Sequence, residues 1–396
     1  MEKLKPLRIL RIIYDWPPPW HGLAPGPYFL SREQGLLGHK LTVFTGGLDI
    51  KRRLLKGVVK ETPEENVVVY HMLRALSQHI GPFLTSSPMA FFGYLWKKYI
   101  RRNVDLVHGH GHNTLWLNLY KLVFGRIDKT PYVLHYHMCS KERVAQAVKA
   151  GEKFSFLQKY WEIPLTQLSE KLGIRVANAC VFPSASTKEE CIKWYKPKSN
   201  NLYVVENGYP DHIFSPAKKG TTKEKELLNI GVLSPRKGVD LIIKSLKFLS
   251  PEYKFRWIGN IQDESYLEEI KKLVKSLNLE NRVILQGYVS NLEVATYYQK
   301  AALFVLASHS EGLPKVVIES LACGTPVLAS GFKAEEEIDG LSYFSKLDEK
   351  TIAVEIMSTL ENKSHVDVEK IQKVYSWHAK ALEIDKIYKT LLSRIN

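Results

Sequence analysis

Short apolar runs of β type alternate along the chain with stretches whose apolar residues recur every three or four positions, and no repeat or low-complexity tract interrupts them. That alternation selects parallel sheets covered by helices on both faces, because parallel neighbours need a crossover between them. Strands are predicted at Arg8 to Ile13, Leu41 to Thr45, Val67 to Tyr70, Asp105 to His108, Tyr132 to His137, Ala179 to Pro183 and Leu202 to Glu206. A second set follows at Leu227 to Leu233, Lys254 to Ile258, Arg282 to Leu285, Leu303 to Ala307 and Val327 to Ala329. Helical spacing joins Leu241, Ile242, Leu246 and Leu249, and again Leu267, Ile270, Leu273, Val274 and Leu277. Each set suffices for one open sheet. Gly, Pro, Asn and Asp cluster in NGYPDHIFSPAKK, so the expectation is an α/β chain of two doubly wound domains, 1–206 and 220–376, joined by a linker at 207–219. In such sheets ligands bind beyond the carboxyl ends of the strands.

With 396 residues, 45% of them hydrophobic, the chain can build a core in each domain. No run reaches the roughly 18 uninterrupted apolar residues of a membrane span. The opening MEKLKPLRILRII leads into a strand rather than a signal peptide, so a cytosolic location is expected. Cys139, Cys180, Cys191 and Cys323 are scattered, which suggests neither a zinc site nor a disulfide framework. The net charge of +15 is uneven: residues 1–200 carry 30 basic and 15 acidic side chains, the remainder 26 of each. A basic first half favours an anionic partner. Nucleic acid is disfavoured, since no recognition motif is present and the cations are not interleaved with an aromatic platform on strands. An acidic membrane surface fits better. In AFFGYLWKKYIRR, Ala90 to Arg102, aromatics stand beside cations as in an interfacial helix, although a helix with a buried aromatic side and a basic C-terminus gives the same pattern. Lys141 to Leu172 is a second basic, aromatic stretch, suited to an acceptor or to lipid.

Chemistry concentrates in Ser308 to Ser330, where Glu311 and Glu319 stand eight positions apart across a loop-to-helix junction. Pro314 suits the first helical position and Gly324 the stop, so Glu311 precedes the helix and Glu319 lies inside it. The helix N-terminus between them favours anions. In GVLSPRKG, Arg236 and Lys237 are expected at a strand's carboxyl end beside another helix start, where a forked guanidinium and an ammonium can hold a diphosphate. His135 and His137 close a first-half strand and, being alternate residues, share a face. His108, His110 and His112 with Asp105 have a spacing open to a metal, weakened because the acid lies at the far end of the strand. Gly22 and Gly26 lie in a loop that lacks the G-x-G-x-x-G spacing and serves equally as a proline-stiffened turn. Taken alone, the two glutamates also allow a hydrolase acid and nucleophile.

With these pieces together, the chain resembles family 4 of the retaining glycosyltransferases, of GT-B fold. The likeness runs through GHKLTVFT, DLVHGH, PYVLHYH, VVENGYPDHIFSP, GVLSPRKGVDLIIKSL, VILQGYVSNLEVATYYQKAALFVLAS, SEGLPKVVIESLACGTPVLAS and YSWHAKALEIDKIYKTLL. It implies two facing Rossmann-like domains, an acceptor domain then a donor domain, with 377–396 as a helix returning to the first. It implies a sugar moved with retention from a UDP- or GDP-sugar, itself a substrate, to a glycan or lipid-linked acceptor, without metal or other cofactor. Residue by residue, Arg236 and Lys237 match the pair on the donor diphosphate, and Glu319 the residue on the ribose. Glu311 matches the one beside the sugar, with backbone amides of Gly312, Leu313 and Lys315 nearby. His137 matches the first-domain histidine near sugar and acceptor, Gly22 the loop by the phosphates, and Gly287 and Tyr288 the segment holding the base. The first loop departs from the family's close glycine pair, and His135 stands where a small or hydroxyl residue is usual. Phosphorylase or epimerase chemistry, or silent binding of a sugar nucleotide, are the alternatives. A cytoplasmic enzyme, peripheral at the inner face of a membrane, is the expectation.

Overall fold

A computed structural model describes residues 5–17, 25–46, 58–72, 82–149, 154–197, 201–218, 220–261, 263–309, 311, 313–334, 336–362 and 365–394. The chain divides into two units, Met1–Glu206 with Lys380–Asn396, and Asn207–Ala379.

In the first unit β1 (Arg8–Ile13), β2 (Lys40–Thr45), β3 (Val59–Glu64), β4 (Val67–His71), β5 (Leu106–His110), β6 (Tyr132–His135), β7 (Ala179–Phe182) and β8 (Leu202–Val204) form one sheet. Its order is β3-β4-β2-β1-β5-β6-β7-β8, parallel throughout except for the β3–β4 pair. The order reverses between β1 and β5, the switch point where open sheets bind ligands. Strands flanking this point are buried on both faces, β5 carrying His108 and His110 and β1 carrying Arg11 into the interior.

The second unit holds β9 (Glu224–Ile230), β10 (Lys254–Ile258), β11 (Val283–Gly287), β12 (Ala301–Leu306), β13 (Val327–Ala329) and β14 (Leu341–Tyr343), all parallel, in the order β11-β10-β9-β12-β13-β14. Alternate residues of β12 feed separate cores: Leu303 and Val305 pack with Trp257 and Ile243, Phe304 and Leu306 with Tyr298 and Val317. That period of two keeps the sheet apolar on both sides.

The helix Trp377–Ser393 begins in the second unit and from Lys380 onward belongs to the first. There Asp385 accepts from His39 Nε2 at 2.8 Å and from Gln34 Nε2 at 3.1 Å, while Tyr388 Oη lies 2.5 Å from His108 Nδ1. His39 Nδ1 takes the Leu7 amide at 3.0 Å, so its other nitrogen carries the proton given to Asp385.

Several expectations need correction. The strand expected at Tyr132 to His137 stops at His135, leaving His137 on the turn beyond. The strand expected at Leu227 to Leu233 ends at Ile230, and Leu233 makes only an isolated bridge to Ile261. Strand β3, VKETPE, was not anticipated; it is a polar edge strand carrying Pro63, the kind of sequence edges tolerate. Strand β14 has three residues and too little pattern to register.

Candidate functional site

The charged site of the second unit starts from a glycine. After β9 the chain makes a tight turn at Pro235–Lys237 and reaches Gly238 at φ +63°, before the helix Val239–Ser245. A Cβ on Gly238 would lie 2.1 Å from the carbonyl oxygen of Ala307, so the turn lies against the end of β12. The His309 amide donates to the Arg236 carbonyl at 3.0 Å and ties the same two segments together. Arg236 and Lys237 thereby stand beside the loop after β12.

One oxygen of Glu311, Oε1, accepts from Arg236 Nη1 at 2.9 Å and from Lys237 Nζ at 2.7 Å. The Glu311 amide in turn donates to the Gly331 carbonyl, 2.7 Å away after β13, which fixes the carboxylate's height. Lys237 and Glu311 are largely shielded, with side chains 14% and 12% exposed, whereas the Arg236 side chain keeps 52%. A shielded carboxylate thus neutralises two cations where an incoming anion can compete for them.

The helix Lys315–Ala322 begins one residue later than expected, because Pro314 (ψ 132°) is extended and forms the N-cap. Its far end is a Schellman turn: Gly324 at φ +74° donates to Leu321, and Thr325 to Ser320. Glu319, one turn along, accepts from Tyr298 Oη at 3.1 Å. Desolvation pushes the Glu319 carboxyl up to about 7, against the opposing pull of Lys315 and Tyr298. Lys315 is lowered by the same desolvation, with Glu319 counteracting. Leu313 is buried against this helix's core. Gly287 ends β11 at φ +76° with nothing near a notional Cβ, and Tyr288 beside it is 60% exposed, so backbone and ring are both open to a planar ligand. Gly22 and Gly312 lie outside the described residues.

In the first unit His108 and His110 on β5, His135 on β6 and His137 form a row of near-parallel imidazoles. Neighbouring centroids are 4.6 to 5.4 Å apart from His108 to His110, His135 and His137, with planes within 10 to 17°. His110 Nδ1 and His137 Nε2 are 3.3 Å apart. Burial first, then neighbouring positive charge, holds His108, His110 and His135 well below the usual histidine range. The grouping expected from spacing is corrected here. His112 leaves the row for Tyr14 and Phe83, and Asp105 turns to Arg8. Cross-strand register sets His135 opposite His110 instead.

Sequence reasoning missed Tyr298, the Gly331 carbonyl and the buried Arg11. Arg11 donates to Ser31 and to Gln34 Oε1 and lies 3.5 Å from His108 Nδ1. A lone arginine inside the apolar run RILRII was the available signal for it; Tyr298 gave none.

Two family models match the chain, "Glycosyltransferase Family 4" over residues 23–212 and "Glycosyl transferases group 1" over residues 212–370. A curated relative, the mannosylfructose-phosphate synthase of Agrobacterium fabrum, is 32% identical over 156 residues, 35% of this chain and 34% of that enzyme. The chain therefore spans about a third of that relative's length. Among solved structures the chain is similar to a sucrose-phosphate synthase from Thermosynechococcus elongatus, with TM-score 0.74, 18% identity, and 98% and 100% of the two chains covered. It is also similar to Anabaena HepE in complex with UDP-glucose, with TM-score 0.67, 16% identity, and 98% and 100% covered.

Proposed function

The chain belongs to the group 1, family 4 glycosyltransferases, and on that premise we propose that it moves a sugar from a nucleoside-diphosphate donor to a glycan or lipid-linked acceptor with retention of configuration. Its two parallel-sheet units are those of the GT-B fold. The observation that carries the donor reading is the Arg236–Lys237 pair held on the Glu311 carboxylate. A donor diphosphate offers the same two cations more charge and more acceptor oxygens than one carboxylate, so it displaces Glu311 from them. As the bond from the anomeric carbon to the phosphate oxygen breaks, charge grows on the diphosphate, and the cations stabilise the transition state more than the ground state. The acceptor hydroxyl forms the new bond, and its proton goes to the departing diphosphate. Glu311, released, serves the sugar; Glu319 accepts from the ribose hydroxyls; His137 serves the sugar and acceptor side. The amides of Leu313 and Lys315 and the backbone around Gly287 and Tyr288 complete the donor subsite, with Gly22 and Gly312 assigned by resemblance. This route asks for no metal, since arginine, lysine and a helix N-terminus meet the diphosphate charge. UDP is the first base to test, because HepE is solved with UDP-glucose.

A peripheral membrane contact accounts for the first unit's surface. No helix among the described residues is long and apolar enough to cross a membrane. Yet Phe92, Trp96, Tyr99 and Ile100 are exposed on one segment, and Leu122, Val123, Phe124 and Ile127 on the next, with Arg101, Arg102, Arg126 and Lys129 exposed beside them. Apolar side chains rimmed by cations suit an acidic bilayer surface. Ala90 and Tyr94 are buried, so the segment Ala90 to Arg102 is part core and part surface.

The test is donor turnover and thermal shift. UDP or GDP at 100 times its dissociation constant stabilises by about 2.7 kcal/mol. Equal, near-zero turnover of every nucleotide sugar by wild type and Lys237→Ala would leave only a silent binder. Flotation with acidic vesicles at low salt tests the membrane contact, and failure to float rejects it.

A further inference from the structure

The transfer proposed above uses one member of the histidine row and leaves three unexplained. We propose that His108, His110 and His135 form a binding site for a single Zn²⁺ ion.

Each of the three rings places one nitrogen within 4.8 Å of a nitrogen on both others, and all three residues are buried. Within the same group His108 Nε2, His110 Nε2 and His135 Nδ1 are buried with no hydrogen-bond partner. Buried polar atoms in folded proteins are nearly all satisfied, so three unsatisfied nitrogens on three stacked rings call for an explanation. A metal ion satisfies all three at once. The other edges of two rings are already engaged, His108 Nδ1 with Tyr388 Oη at 2.5 Å and His110 Nδ1 with His137 Nε2 at 3.3 Å. Metal-bound histidines characteristically engage the second nitrogen in this way, which orients the ring. A neutral imidazole keeps one N–H, so His108 and His110 offer a lone pair at Nε2 in the tautomer whose Nδ1–H faces Tyr388 Oη or His137 Nε2.

The donor set selects the ion. Three imidazoles without a carboxylate suit zinc and its neighbours in the transition series and do not suit Mg²⁺ or Ca²⁺, which require oxygen. Zinc has no geometric preference from d electrons, so it tolerates an irregular set with a fourth position left for water. Zn–N bonds of about 2.0–2.1 Å bring tetrahedral ligands to about 3.3 Å from one another, so nitrogens up to 4.8 Å apart must draw together by up to about 1.5 Å. The rings must also turn out of parallel, because near-parallel rings direct their lone pairs along parallel lines. That turn is about χ2, a broad torsion for histidine. Arg11 opposes a cation, but it sits on the Nδ1 edge of His108 and is bonded to Ser31 and Gln34, whose amide in turn donates to Asp385.

The test uses the full chain, stripped with chelator and titrated with Zn²⁺ by calorimetry, then with Co²⁺ in the visible range. One equivalent of Zn²⁺ is expected, unaffected by millimolar Mg²⁺, with X-ray absorption showing nitrogen and oxygen neighbours only. Co²⁺ should give a four-coordinate ligand-field band, a readout that needs no variant. His135→Ala should weaken Zn²⁺ at least tenfold, whereas the partly exposed His212→Ala should leave it unchanged. No binding by the wild type overturns the proposal, and so does binding that survives His135→Ala and His108→Gln in variants whose melting matches wild type. Neither readout involves sugar transfer, so failure here and failure of the enzymatic reading are separate outcomes.

Discussion

Both units gather ionisable side chains near the carboxyl ends of central strands, but they resolve the crowding in opposite ways. In the second unit the cations of Arg236 and Lys237 meet the anion of Glu311. In the first, four imidazoles stack beside a buried arginine, and three of their nitrogens have no partner. A paired set is stable alone and exchanges its counter-ion for a better one. An unpaired neutral set has nothing to exchange, and it gains only when something is added. The contrast separates the site proposed to exchange anions from the one proposed to admit a cation.

The comparison breaks most sharply at Lys237. Lys237→Ala should lower turnover by about 10²–10³-fold, as loss of one preorganised transition-state donor does, with the melting temperature little changed. Steady-state kinetics checks it, and a change confined to KM would assign Lys237 to ground-state binding. Next in size, Gly238→Ala puts a Cβ against a backbone carbonyl at positive φ. It should destabilise the second unit by about 1–3 kcal/mol in urea titration and misplace both cations. Tyr298→Phe removes one hydrogen bond from Glu319 and should weaken donor binding about fivefold, corresponding to about 1 kcal/mol, readable as a KM effect.

Two pH effects are smaller. Desolvation pushes the Glu319 carboxyl up to about 7, and the ionised form accepts more strongly from hydroxyls, so if Glu319 holds the ribose, donor affinity should rise as pH increases through about 7. Affinity flat between pH 6 and 8 would remove Glu319 from the ribose. In the first unit, burial raises the Glu170 carboxyl to about 8 from an ordinary 4.5, although Tyr195 and the Ser140 amide donate to it. The folded form then keeps a proton that the unfolded chain has lost, so this contribution to stability is present below about 4.5 and declines as pH rises to about 8. Denaturation midpoints of wild type and Glu170→Gln should converge at low pH and separate above it.

Legibility followed burial and motif. Arg8 to Ile13, Lys254 to Ile258 and Val327 to Ala329 were readable to the residue, because each is a short, mostly apolar run bounded by turn or polar residues. VKETPE was not, since an edge strand is marked by polarity and proline. Arg236, Lys237, Glu311 and Glu319 were visible from their setting between strands and helices, whereas Tyr298 reaches Glu319 from another helix and its position carried no mark. The histidines illustrate the limit best. Alternation along β5 suggested His108, His110 and His112, but a period within one strand is blind to the register of its neighbour, and that register supplied His135.

The last helix also has a consequence for the order in which the protein is made. Asp385 and Tyr388 bond inside the unit whose other members end at Glu206. At about 5–20 residues per second a ribosome needs on the order of 10–35 s to pass from residue 206 to residue 380. Throughout that interval His39 and His108 wait for partners not yet synthesised, while the whole of the second unit emerges. The half of the molecule that is translated first is therefore the half that is finished last.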